Sequence, residues 1–379
     1  MSSEFQGLRI AYLTEWSPYH ANGVLRKMVG QVEAWRELGA TASMFALAAL
    51  ESGAPACGFG GVGSVHGRLS ARSLSRLPWL RLGYANKVIT APGLSRAIRE
   101  FRPDVVYYRQ QGPWYPGLEG LLGLAPTVIE VNTDEFAENV LWGPTMARLF
   151  AATQSRVLAS VSGIVAVTEE LASRWKRFSK PIAVVPNGFW GAQPGRFAPT
   201  GNDRPAFAFI GSRFTTTSDW HGIDKILALA GSLEDNPFHI IGHSRDDVRE
   251  HRVPPNVILH GELDSAAVSR VFARCDVGIG TMALHRKRMD DACPLKVRDY
   301  LMHRMPIVIG YREAEESLNR ADFVLRLPNS EDNLSSNVGP VRSFAAAWCN
   351  RRVEDDLGFM SRSGIETRRL QFLSRFARR

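Results

Sequence analysis

The sequence predicts an α/β protein built from two doubly wound parallel sheets, and three observations carry that prediction. Short runs rich in valine, isoleucine and tyrosine alternate with helical stretches. The alternation stops over 182–205, where proline, glycine and asparagine accumulate, and then restarts. The chain has 379 residues, enough for two cores at roughly 100–200 residues per domain.

Taken in order, "LRIAYLT" (8–14) reads as a buried strand, 23–38 as a helix and "ATASMFAL" (40–47) as a second strand. "DVVYY" (104–108), "TVIEV" (127–131) and "GIVAV" (163–167) follow, with helical stretches between them. Such runs fit a parallel sheet covered on both faces. A domain boundary is expected after "VVPNG" (184–188), giving a first domain over 1–188 and a second over 189–340. The second should hold "FAFIG", "FHIIG", "VILHG", "DVGIG" and "PIVIG", five strands closing in Gly211, Gly242, Gly261, Gly280 and Gly310. Glycine there lets backbone approach a ligand, although tight βα turns alone also select it. Residues 341–379 read as a helical segment whose last helix is expected to pack back on the first domain.

With 45% hydrophobic and 22% charged residues, the composition is that of a globular protein rather than a disordered or fibrous one. No apolar run reaches the roughly 18–20 residues that span a bilayer, and the start lacks a secretory pattern, so a cytoplasmic location is expected. Cys57, Cys275, Cys293 and Cys349 are scattered without metal-ligand spacing, which suggests reduced packing cysteines. The formal charge of +8 is uneven: seven arginines between 68 and 102, with Lys87, face only Glu100. Interleaved with Trp79, Tyr84 and several leucines, this stretch fits peripheral contact with an anionic membrane, or a solvated basic face. No nucleic-acid module accompanies the charge.

The chemistry concentrates in "DDACPLKVRDYL". Pro294 suits the first position of a helix, which puts Lys296 in the opening turn, Asp299 one turn on and Asp291 in the loop before. A lysine there opposes the helix dipole at roughly 0.3–1 kcal/mol unless an anion offsets it. It either extends into water or meets a bound phosphate. Just upstream, His285, Arg286 and Lys287 follow the "DVGIG" strand, at the sheet edge where open α/β sheets bind ligands. Together these groups suit a diphosphate, with Asp299 placed for a ribose diol. "MDDAC" offers an acidic pair but no further ligands, so no metal is expected.

These residues resemble the retaining GT-B glycosyltransferases of family 4. The likeness rests on "VVPNG", "FIGSRFTTTSDWHGIDKIL" and the two acids seven residues apart in "DACPLKVRD", and "LHRK" is similar to the subgroup that builds bacterial surface polysaccharides. The resemblance implies two Rossmann-like domains facing a central cleft and closing over the linker. It also implies a UDP- or GDP-sugar donor, no other cofactor, and a saccharide or lipid-linked acceptor. Asp291 would then face the donor sugar, Asp299 the ribose, and Lys296 with Arg213 the diphosphate. Leu295 and the loops at Gly211, Gly242 and Gly261 would complete the donor site. His221 stands where a lysine is common. Asn22 and Gly23 replace a usual glycine pair, and Asn132 aligns with a frequent histidine. The acceptor would pass Asn22, Gly23, Arg109, Asn132 and Asp134. A sugar-nucleotide 2-epimerase and a non-catalytic nucleotide-sugar-binding subunit share this architecture.

Overall fold

A computed structural model describes residues 4–19, 22–50, 61–69, 79–141, 143–191, 197–211 and 219–377. The chain divides into two compact units, Met1–Gly191 with Met360–Arg379, and Ala192–Phe359. The expected helical tail is therefore split: helix Val338–Trp348 belongs to the second unit and helix Arg362–Ser374 to the first.

In the first unit β1 (Arg9–Thr14), β2 (Thr41–Leu47), β3 (Gly63–His66), β4 (Val105–Arg109), β5 (Thr127–Val131), β6 (Gly163–Ala166) and β7 (Ile182–Val184) form one sheet in the order β3-β2-β1-β4-β5-β6-β7. Every pairing is parallel. The order reverses between β1 and β4, which makes the carboxyl ends of those strands the natural ligand crevice. Helix α1 (Gly23–Glu37) begins where the Asn22 side chain accepts from the Leu25 amide at 2.9 Å, an ordinary N-cap. It carries Trp35 into a buried aromatic group with Tyr12 and Tyr107, at centroid distances of 5.2–5.6 Å. Helix α2 (Trp79–Phe101) carries part of the basic stretch. Arg72 and Arg76 lie outside the described residues. Lys87 is turned inward, pairing with Glu15 and donating to the Gln111 carbonyl at 2.6 Å, so it does not belong to a solvated basic face. Arg96 and Arg99 are exposed. Among the described residues no helix is long and apolar enough to cross a membrane.

The second unit repeats the plan. Strands β8 (Phe207–Ile210), β9 (Phe238–Ile241), β10 (Val257–Gly261), β11 (Val277–Ile279), β13 (Ile307–Ile309) and β15 (Val324–Arg326) form a parallel sheet in the order β10-β9-β8-β11-β13-β15. The reversal falls between β8 and β11. A two-residue pair, β12 (Asp291–Ala292) with β14 (Arg312–Glu313), stands apart from it. After β12 comes the helix of the sequence motif, Leu295–Met302. Gly278 is required on β11 beneath it, because a Cβ there would come within 2.5 Å of the Tyr300 ring. That close approach lets the Tyr300 hydroxyl accept from the Ile210 amide and donate to the Ile279 carbonyl, both at 2.9 Å. The helix is thus pinned across the β8/β11 reversal with its first turn at the sheet edge.

Candidate active site

In the second unit the site assembles around Phe209, near the carboxyl end of β8. Pro294 is the N-cap of the motif helix, with ψ at 139°, rather than its first residue. Lys296 is consequently the second helical residue. It does not extend into water as a first-turn lysine would. It is 8% exposed, and its Nζ lies 4.2 Å from the centre of the Phe209 ring and 3.3 Å from His221 Nδ1. Burial brings its pKa from 10.5 down to about 7. No carboxylate pairs with it among the described residues. His221 reaches the same ring at 6.4 Å, and His243 stacks beside it at 6.1 Å. Burial, with Lys296, Lys287 and His243 nearby, holds His221 well below its ordinary value. The arrangement gathers a lysine and two imidazoles about one aromatic ring, nitrogen bases that an arriving anion would charge.

The other expected donor residues are placed differently. Asp291 is not in a loop: it lies on β12, buried, with both carboxylate oxygens held by Arg312 at 2.7 Å. His285 and Arg286 do not point open charge at a ligand, because His285 meets Glu331 at 2.7 Å and Arg286 is shared between Asp224 and Glu331. Lys287 lies over the Trp220 ring at 4.3 Å. Leu295 opens the motif helix, and Asp299 sits one turn beyond, buried on it. Gly211 follows β8, its amide donating to the Ile241 carbonyl at 3.1 Å. Gly242 and Gly261 follow β9 and close β10 with φ of 88° and 63°, as sharp turns at strand ends require. Arg213 lies outside the described residues. The structure thus brings together Lys296, His221 and Gly211, and gives most of the "LHRK" cations carboxylate or aromatic partners instead.

In the first unit, Asn22 caps α1 and Gly23 is that helix's first residue. Asp134 caps the following helix through the Ala137 amide and pairs with Arg174 at 2.5 Å. Arg109 and Asn132 converge on a residue the sequence reading passed over, Glu130 on β5. Glu130 is fully buried and receives Lys27 at 2.9 Å, Arg109 at 3.2 Å, Arg369 at 3.2 Å and Asn132 at 3.0 Å. Burial alone would raise its pKa, but Lys27, Arg369 and Arg109 hold it well below the ordinary range. Lys27 is lowered to about 8, chiefly by burial. Arg369 also holds Glu366, which accepts from Trp35 Nε1 at 2.7 Å. The available signal was a glutamate inside the apolar run "TVIEV", which a buried strand tolerates only with partners.

Two parallel sheets with this strand order are the architecture of the GT-B glycosyltransferases, and the chain has that fold. Within the first unit, residues 22–188 match the model of the glycosyl transferase 4-like domain. A GDP-mannose-dependent alpha-mannosyltransferase of Mycolicibacterium smegmatis is 26% identical over 289 residues, covering 71% of this chain and 72% of that protein. Among solved structures, sucrose-phosphate synthase from Thermosynechococcus elongatus superposes with a TM-score of 0.64 at 11% identity, covering 97% of this chain and 94% of the other. WaaG, a glycosyltransferase involved in lipopolysaccharide biosynthesis, gives 0.63 at 13%, covering 96% and 99%.

Proposed function

We propose that the protein transfers a sugar from a nucleoside-diphosphate donor, GDP-mannose being the first to test, to a saccharide or lipid-linked acceptor, with retention of anomeric configuration. One observation carries the donor reading: Lys296 is buried at a helix start beside two imidazoles, without a carboxylate partner among the described residues. Burial withdraws the lysine proton near neutral pH, and an anion arriving beside the nitrogen restores it. As the glycosidic bond breaks, negative charge develops on the departing diphosphate. A protonated Lys296, the helix N-terminus and His221 stabilise that charge. The acceptor hydroxyl attacks the same face with its proton passing to the departing phosphate, so no protein nucleophile is assigned. In this reading Asp299 holds the ribose, and Asp291, oriented by Arg312, contacts the donor sugar.

GDP-mannose is put first because the mannosyltransferase relative uses that donor by name. The exposed Arg96 and Arg99 on α2 support an acceptor presented at an anionic membrane surface, in the synthesis of a cell-surface polysaccharide. The test is a thermal-shift screen with GDP, UDP and their sugars, followed by transfer of labelled mannose to cell-envelope lipid extract and an NMR assignment of the product anomer. Stabilisation by GDP and an α-linked product are expected. No stabilisation by any nucleoside diphosphate would overturn the reading.

A further inference from the structure

Phe209 gathers three nitrogen bases about one ring, and the mechanism above uses only two of them. The third is His243, which follows β9 and the turn at Gly242. Its Nε2 is shielded from solvent and has no hydrogen-bond partner among the described residues. A buried polar atom left in that state costs about 1–3 kcal/mol, so its orientation requires an explanation. The atom faces the backbone of Gly211: a Cβ built on that glycine would lie 3.5 Å from it. Gly211 directly follows the strand that carries Phe209, and the Phe209 ring lies beneath the Lys296 amine. We propose that His243 is a further anion-binding residue of this site, its Nε2 donating to the diphosphate so that an imidazolium holds the leaving group together with Lys296. This rests on the nucleoside-diphosphate reading above.

The surroundings of His243 suit a proton that arrives with the ligand. On its own loop Asp247, which accepts from Ser244 N and Oγ at 2.7 and 2.6 Å, favours the charged ring. From the motif helix Lys296 disfavours it, as does burial. His221, on the short turn before helix Ile223–Ser232, is buried and feels both Lys296 and Lys287. Without an anion these groups oppose one another's protonation. A diphosphate reverses that balance, so binding takes up protons and tightens as the pH falls.

The experiment is calorimetric titration of the intact protein with GDP at pH 6.0, 7.5 and 9.0, each in two buffers of different ionisation enthalpy, for the wild type, His243→Gln and His243→Phe. Glutamine keeps a neutral donor near Nε2, whereas phenylalanine removes it. The expected result is net proton uptake by the wild type at pH 7.5 that falls in His243→Gln. His243→Gln should weaken GDP about tenfold at pH 6.0 and hardly at all at pH 9.0, the value of one charge-assisted contact. His243→Phe should weaken binding at every pH. If the wild type binds GDP and His243→Gln leaves both proton uptake and the pH profile unchanged, the inference is wrong while the donor reading stands. If the wild type does not bind GDP or UDP, the donor reading itself fails.

Discussion

Replacing Lys296 by methionine should make the protein more stable and inactive at once. The side chain is 8% exposed and its pKa falls from 10.5 to about 7 on folding. At pH 7.5 the unfolded chain keeps the lysine proton while the folded chain has largely released it. At about 1.4 kcal/mol per pKa unit, that difference opposes folding by up to about 4 kcal/mol. Methionine keeps the length and the contact with Phe209 without a titrating amine, so most of that opposing term is removed. A gain of about 2 kcal/mol would raise the melting temperature by roughly 4–8 °C in a domain of this size. The sign of the pH dependence follows from the lowered pKa. Wild-type stability climbs between pH 7 and 10.5, where the unfolded state binds the extra proton, and the advantage of the variant shrinks across that window. Urea denaturation followed by circular dichroism at pH 7 and 10, with GDP titration alongside, checks both halves. A variant less stable than wild type at pH 7 would refute the claim that this lysine is held against its own solvation, and undiminished GDP binding would remove it from the site.

Two further outcomes follow from the ion pairs. Arg369→Met leaves Glu366 without its guanidinium and Glu130 with fewer cations, which should cost about 3–5 kcal/mol in urea denaturation; a loss under 1 kcal/mol would mean the network is solvated in practice. Asp299→Asn should weaken GDP binding while changing 2′-deoxy-GDP binding much less, because that analogue already lacks one hydroxyl, and equal losses would give the carboxylate a purely structural role.

Most strands were legible because burial on both faces of a parallel sheet leaves an unmistakable apolar run: "TVIEV" spans Thr127–Val131 in the structure without adjustment. The pair Asp291–Ala292 with Arg312–Glu313 was not, since two residues carry no periodicity and their register depends on the bidentate contact to Arg312. The position of Lys296 at a helix start was legible in the sequence but its burial was not, because the Phe209 ring and the His221 turn that surround it come from distant segments. The "LHRK" run looked like free charge for the same reason. Asp224 and Glu331, which neutralise Arg286, lie 62 and 45 residues away. Sequence spacing locates local features such as caps and turns, whereas ion pairing across a fold is settled by chain crossings that spacing does not encode.

The return of helix Arg362–Ser374 to the first unit bears on how the chain is made. Synthesis proceeds from the amino end, and domains generally fold as they emerge. Glu130 leaves the ribosome long before Arg369 and Glu366, with the whole of Ala192–Phe359 made in between. The first sheet therefore emerges with a buried-site glutamate short of a cation, while the second unit, contiguous in sequence, already has every residue it needs. The contacts that close Glu130 and Trp35 can form only once helix Arg362–Ser374 has been made, by which point every residue of the second unit has already been synthesised.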